Sequence, residues 1–139
     1  MGNKLTYLQA FNATSRFLDL YYHRILSNNI GDLLGDMVFF RDGVTVDPAI
    51  WHDWTKNVEK IKHEESLLTS MQAFDVMIKF LEWYFERAPF QSDDVSKLLE
   101  CLIEMQNDPQ HIGWKHWQTC IEYVEHEEDS RVYLKLTKK

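Results

Sequence analysis

Leu5-Thr6-Tyr7-Leu8-Gln9-Ala10-Phe11 returns sixty-three residues later as Leu68-Thr69-Ser70-Met71-Gln72-Ala73-Phe74. Phe17-Leu18 with Tyr21-Tyr22 and Arg24 returns as Phe80-Leu81 with Tyr84-Phe85 and Arg87, so nine of the twenty positions in 5–24 are identical in 68–87. Unrelated sequence would give about one. The copying continues outward. Ser27-Asn28-Asn29-Ile30 with Leu33-Leu34 matches Ser92-Asp93-Asp94-Val95 with Leu98-Leu99. Trp51-x-x-Trp54 matches Trp114-x-x-Trp117, and His63-Glu64-Glu65 matches His126-Glu127-Glu128.

Each copy reads as three helices. Thr6-x-x-Gln9 and Thr69-x-x-Gln72 are capping boxes, in which a hydroxyl and an amide satisfy orphan backbone N–H groups reciprocally. Helical spacing then runs through Leu8, Phe11, Leu18, Tyr22 and Ile25 and predicts a first helix over 6–25. A second helix begins at Ser27, and at Ser92 in the second copy, where Asp93 and Asp94 complement the helix dipole. Ile30, Leu33, Leu34 and Met37 are its core side, matched by Val95, Leu98, Leu99 and Leu102. The third helix opens on Asp47-Pro48, an N-cap followed by proline, and on Asp108-Pro109 in the second copy. Its inner face is Trp51, Trp54, Val58 and Ile61, or Trp114, Trp117, Ile121 and Val124. Asp42-Gly43 marks a turn before it in the first copy alone.

A three-helix unit of ~60 residues is marginal alone, and two can bury their faces on each other. The expected fold is therefore all-α: tandem repeats 5–65 and 68–128 packed as a pseudo-two-fold six-helix bundle within a single domain 1–139, with a short tail from 129 to 139. Where the first helix has Thr14, Ser15 and Leu20, the second copy has Met77, Ile78 and Trp83. Residues 69–87 are apolar nearly all round, which predicts a central helix. The tail segment Arg131-Val132-Tyr133-Leu134-Lys135-Leu136 alternates mildly and is expected to pack on the body.

Composition narrows the function. At 139 residues, 45% apolar and 14% aromatic, the chain can build a sizeable core. Its net charge of −7 argues against nucleic acid or an anionic membrane as direct partner. The distribution is uneven: −2 over residues 1–65, −9 over 66–130 and +4 in the tail. One half has become strongly acidic, which suits solubility or a basic partner. The start Met1-Gly2-Asn3-Lys4-Leu5 lacks an apolar h-region, and the apolar run from Ala73 to Phe85, broken by Asp75, Lys79 and Glu82, is too short and charged for a membrane span. A cytoplasmic location with Cys101 and Cys120 as free thiols is the expectation.

Signatures of chemistry are missing. His116 and Cys120 stand at i, i+4, yet no third ligand sits at a dependable offset, so no metal site is expected. The His-Glu-Glu triplets fall at helix exits and are not HExxH. There is no GxSxG, no phosphate loop, and no cysteine in an electropositive setting. No catalytic residue and no cofactor are expected. The duplicated tryptophans read as core, while Trp83, unique to the second copy, is a candidate interface anchor.

The series Phe17-Leu18-x-x-Tyr21-Tyr22-x-Arg24, Ser27, Ile30, Leu33-Leu34, Asp42-Gly43 and Asp47-Pro48-Ala49-x-Trp51-x-Asp53-Trp54 resembles the immunity proteins of bacterial contact-dependent growth inhibition and related polymorphic toxin systems. The resemblance implies a small helical protein that binds the C-terminal domain of a cognate toxin and neutralises it in the cytoplasm. Its motifs are caps and core aromatics, and family contact residues diverge with each toxin, so none carries over. The candidate toxin-binding surface comes instead from charge: Asp93, Asp94, Glu100, Glu104 and Asp108, with Glu122 and Glu125 nearby. These carboxylates would stand in for phosphates in the cleft of a basic nuclease domain. The competing reading is a non-catalytic helical adaptor or regulator that docks another cytosolic protein.

Overall fold

The structure, a computed structural model, describes residues 4–25, 28–40, 42–61, 67–87, 93–127 and 131–132, with the side chains of 24, 25, 28, 29, 87, 93 and 94 outside that description. Six helices follow one another: α1 (Tyr7–Ile25), α2 (Asn28–Met37), α3 (Pro48–Glu59), α4 (Ser70–Arg87), α5 (Asp93–Asn107) and α6 (Gly113–His126). Two short strands, β1 (Leu5–Thr6) and β2 (Leu67–Leu68), precede α1 and α4 and pair antiparallel, with Leu5 opposite Leu68 and Thr6 opposite Leu67. The all-α expectation is corrected to that extent. The chain entering a capped helix is extended, and here two such entries lie side by side and share backbone hydrogen bonds. Two-residue strands have no periodicity that a sequence could display.

Both capping boxes form. Thr6 N–H donates to Gln9 Oε1 at 2.8 Å and Gln9 N–H to Thr6 Oγ1 at 3.0 Å; the Thr69–Gln72 pair repeats this at 2.8 and 3.1 Å. Asp47 caps α3 through Ala49 N–H at 3.0 Å, with Pro48 at the first helical position. The expected start of the last helix at Asp108-Pro109 is wrong. Asp108 Oδ1 does accept Gln110 N–H at 3.0 Å, but the chain then makes tight turns, and α6 begins only at Gly113. Trp114 accounts for the delay: its indole N–H points back at the Met105 and Asp108 carbonyls, 2.9 and 3.1 Å away, tying α6 to the exposed end of α5. A Cβ on Gly113 would lie 2.5 Å from Met105 Sδ, so only glycine permits this approach without movement.

The Asp42-Gly43 signal marks a hairpin turn. Gly43 adopts φ 91°, Phe40 N–H donates to Val44 O at 2.8 Å, and Phe39 bridges Thr45. Phe39 N–H also donates to Val132 O at 2.8 Å, and the Arg131 guanidinium lies 5.5 Å from the Phe39 ring centre. Arg131 and Val132 of the tail thus pack on this hairpin; residues 129–130 and 133–139 lie outside the description.

One hydrophobic core runs through both halves. As expected, α4 is central, with Ala73, Phe74, Val76, Met77, Ile78, Phe80 and Leu81 buried. Its burial is matched by α1, in which Ala10 through Ser15 are buried consecutively, including Asn12, Thr14 and Ser15. Helix α1 lies against α6, and α3 lies against α4. Each tryptophan helix therefore packs on the first helix of the opposite half. Trp54 sits edge-on between Phe11 and Phe80, with ring centres 5.5 and 5.4 Å away; Trp117 sits likewise between Phe74 and Phe17, at 5.6 and 5.7 Å. Trp54 Nε1 donates to Tyr7 O at 3.1 Å, and Trp117 Nε1 to Ser70 O at 3.2 Å. Trp54 and Trp117 are core residues, as their spacing predicted, whereas Trp51 and Trp114 are only partly buried against that core. No helix among the described residues is long and apolar enough to cross a membrane.

Candidate functional site

Glu100 and Glu104 project from α5 one turn apart and are exposed, with Lys97 also exposed on that helix. Asp108 follows in the α5–α6 turn, exposed, its carboxylate spent in part on Gln110 N–H. Glu122 is exposed on α6 and accepts from Gln118 Nε2 at 3.3 Å, while Glu125 is half-buried. Asp93 and Asp94 begin α5, and their side chains lie outside the description. The expected surface therefore divides. Glu100, Glu104 and Asp108 share the C-terminal half of α5 and its turn. Glu122 lies about 13 Å along α6 from Gly113, at ~1.5 Å per residue, beside Tyr123, whose ring centre is 3.9 Å from the Arg16 guanidinium.

Beside the α5 end lies a cavity of about 120 Å³. Phe17, Leu20 and Tyr21 of α1 form one wall, Cys101 and Met105 of α5 another, and His111, Ile112, Gly113 and His116 the third. Leu20 and Ile112 are 44% and 56% exposed, leaving an apolar mouth beside the acidic α5. Cys101 is half-buried, and its Sγ, the Glu104 carboxylate and a His111 ring nitrogen all lie within 4.8 Å of one another. Burial pushes the Cys101 thiol up, and the Glu104 charge pushes it further. His111 is held by Gly113 N–H, which donates to its Nδ1 at 2.9 Å. Sequence reasoning missed this grouping, having paired His116 with Cys120. Cys120 is instead buried, its thiol pushed up to about 11 by desolvation, against a lowering effect of Arg16.

A second concentration of charge lies in the less acidic half. Burial first, then Asp47 and Asp32, hold the Asp36 carboxyl above its usual value. Burial, followed by the charges of Asp36, Asp32 and Asp47, raises the Tyr84 hydroxyl. Here α2, the start of α3 and α4 converge, which no local pattern announces. Trp83, the expected anchor, is half-buried and borders a shallow groove with Lys60, Lys79, Glu82 and Glu86. Of the His-Glu-Glu triplets, His126 and Glu127 are exposed at the end of α6; residues 63–65 and Glu128 lie outside the description.

Chemically, the α5 end offers carboxylates for basic side chains, an apolar recess for a side-chain anchor, and a thiol–carboxylate–imidazole group. Comparison with known protein families, with curated proteins and with solved structures finds no match to this chain.

Proposed function

We propose that the chain is a non-catalytic immunity protein that binds the basic C-terminal nuclease domain of a cognate bacterial toxin and occludes its active site in the cytoplasm. The observation that carries this reading is the charge of residues 66–130, −9 in all, joined to the exposure of Glu100, Glu104, Asp108 and Glu122 on one half of the molecule. Complementary charge accelerates encounter with a basic cleft well beyond the neutral rate. Occlusion requires about 800 Å² on each partner, which α5, the α5–α6 turn and neighbouring α1 residues can supply.

The scaffold is proposed to be two three-helix modules related by a pseudo-two-fold axis. Paired interactions at a constant offset of sixty-three residues support it. Phe11–Trp54 corresponds to Phe74–Trp117, Trp54–Phe80 to Trp117–Phe17, and the Trp54–Tyr7 bond to the Trp117–Ser70 bond. An axis passing between Leu5 and Leu68 sets these equivalent residues opposite one another, as their ladder does.

Co-expression with the toxin domain encoded beside this gene tests the function. The chain should rescue growth, and Glu100→Lys with Glu104→Lys should weaken the rescue. Death of the co-expressing cells would reject the immunity role, and purification with a different cytosolic protein would put the adaptor reading in its place.

A further inference from the structure

The group at the end of α5 goes beyond charge capture. Cys101 and Glu104 stand at i, i+3 on one helix face, and His111 reaches them from the turn that Trp114 ties to α5. Around a tetrahedral ion, ligand atoms at about 2.0–2.3 Å from the metal lie about 3.3–3.8 Å apart. The observed separations of 4.8 Å or less need close by only about 1 Å to reach that geometry. The adjoining cavity, which His116 also lines, leaves room for a water to complete four-coordination.

We propose that Cys101, Glu104 and His111 form a binding site for a single divalent transition-metal ion of the zinc class. One sulfur, one oxygen and one imidazole nitrogen suit zinc or cobalt better than magnesium or calcium, which take oxygen ligands alone. The thiol releases its proton to solvent as the metal–sulfur bond forms, and thiolate and carboxylate together neutralise the ion's two charges. His111 adds a structural signature. Its Nδ1 accepts Gly113 N–H at 2.9 Å, which in a neutral ring puts the proton on Nε2. Coordination through either nitrogen needs a lone pair the ring does not have free in that arrangement, so metal binding replaces the Gly113 bond. The site stands independently of any toxin.

Cobalt(II) titration of the reduced full chain tests it. One equivalent should bind, with a thiolate-to-cobalt charge-transfer band and the visible absorption of a four-coordinate ion, both lost on adding zinc. Cys101→Ser should abolish the band, and Glu104→Gln, an exposed position that does not threaten folding, should weaken binding by more than about tenfold. Cys120→Ser should retain band and affinity. The Gly113 amide resonance should shift with zinc in step with the cobalt stoichiometry. A missing band, a band that survives Cys101→Ser, or equal weak binding by all variants would overturn the proposal.

Discussion

Trp54 and Trp117 live in matching surroundings, whereas the segments leading into their helices share an Asp-Pro turn and diverge on either side of it. Each indole is gripped by two phenylalanines and donates to a backbone carbonyl at the start of the helix beside it. Between α2 and α3, by contrast, the chain makes a hairpin around Gly43 that receives Arg131 and Val132. Between α5 and α6 it makes a compact turn that brings His111 against Cys101 and Glu104. A close-packed interior resists change at either tryptophan, since any volume error is felt by both helices it joins. A surface link tolerates insertion and deletion, and chemistry-bearing residues accumulate there.

The comparison can be broken most severely at its centre. Trp54→Ala and Trp117→Ala should each cost about 3–5 kcal/mol in chemical denaturation, by loss of buried ring and of hydrogen bond. Similar values are expected because the two sites are built alike. A value near zero at one site would show that only the other carries the core. Smaller effects should come from the helix starts. Thr6→Ala and Thr69→Ala should each cost about 1 kcal/mol and agree within a few tenths.

The smallest effect sharpens the contrast between the halves. Asp36 sits in the last turn of α2, where a negative charge meets the unfavourable end of the helix dipole. Burial and then Asp47 and Asp32 raise its folded-state pKa above 3.8. The ionised carboxylate therefore opposes folding at neutral pH. That opposition is absent below the unfolded value and sets in as pH rises through the folded one. Asp36→Asn should stabilise the protein at pH 7 by less than about 1 kcal/mol, the group being largely solvated. The gain should fade as pH falls to about 4. Thermal unfolding across that range checks it, and a loss of stability at pH 7 would contradict the assignment.

The fold was legible wherever the signal was local. Thr6, Gln9, Thr69 and Gln72 carry their capping bonds within one turn, and Asp42-Gly43 carries its own turn chemistry. The burial of α1 was harder to read, because Asn12, Thr14 and Ser15 are polar letters on a helix enclosed by its neighbours. The late start of α6 depends on Trp114 finding carbonyls that only the folded α5 end presents. At the candidate site, the acids of α5 could be read from helical spacing. Glu122 and Glu125 could not be assigned to the same patch or to another without knowing that α6 runs against α1. Cys101 and His111 are ten residues apart across a turn, with no motif to connect them.

Charge capture by the acidic half is the claim on which the functional reading depends. Its most direct test is the Kd of the purified complex with the gene-adjacent toxin domain, measured across a series of salt concentrations for the natural chain and for Glu100→Lys with Glu104→Lys. The natural pair should bind tightly, weaken steeply with salt, and lose both affinity and salt slope in the double variant. An affinity and slope unchanged by the double charge reversal would contradict it.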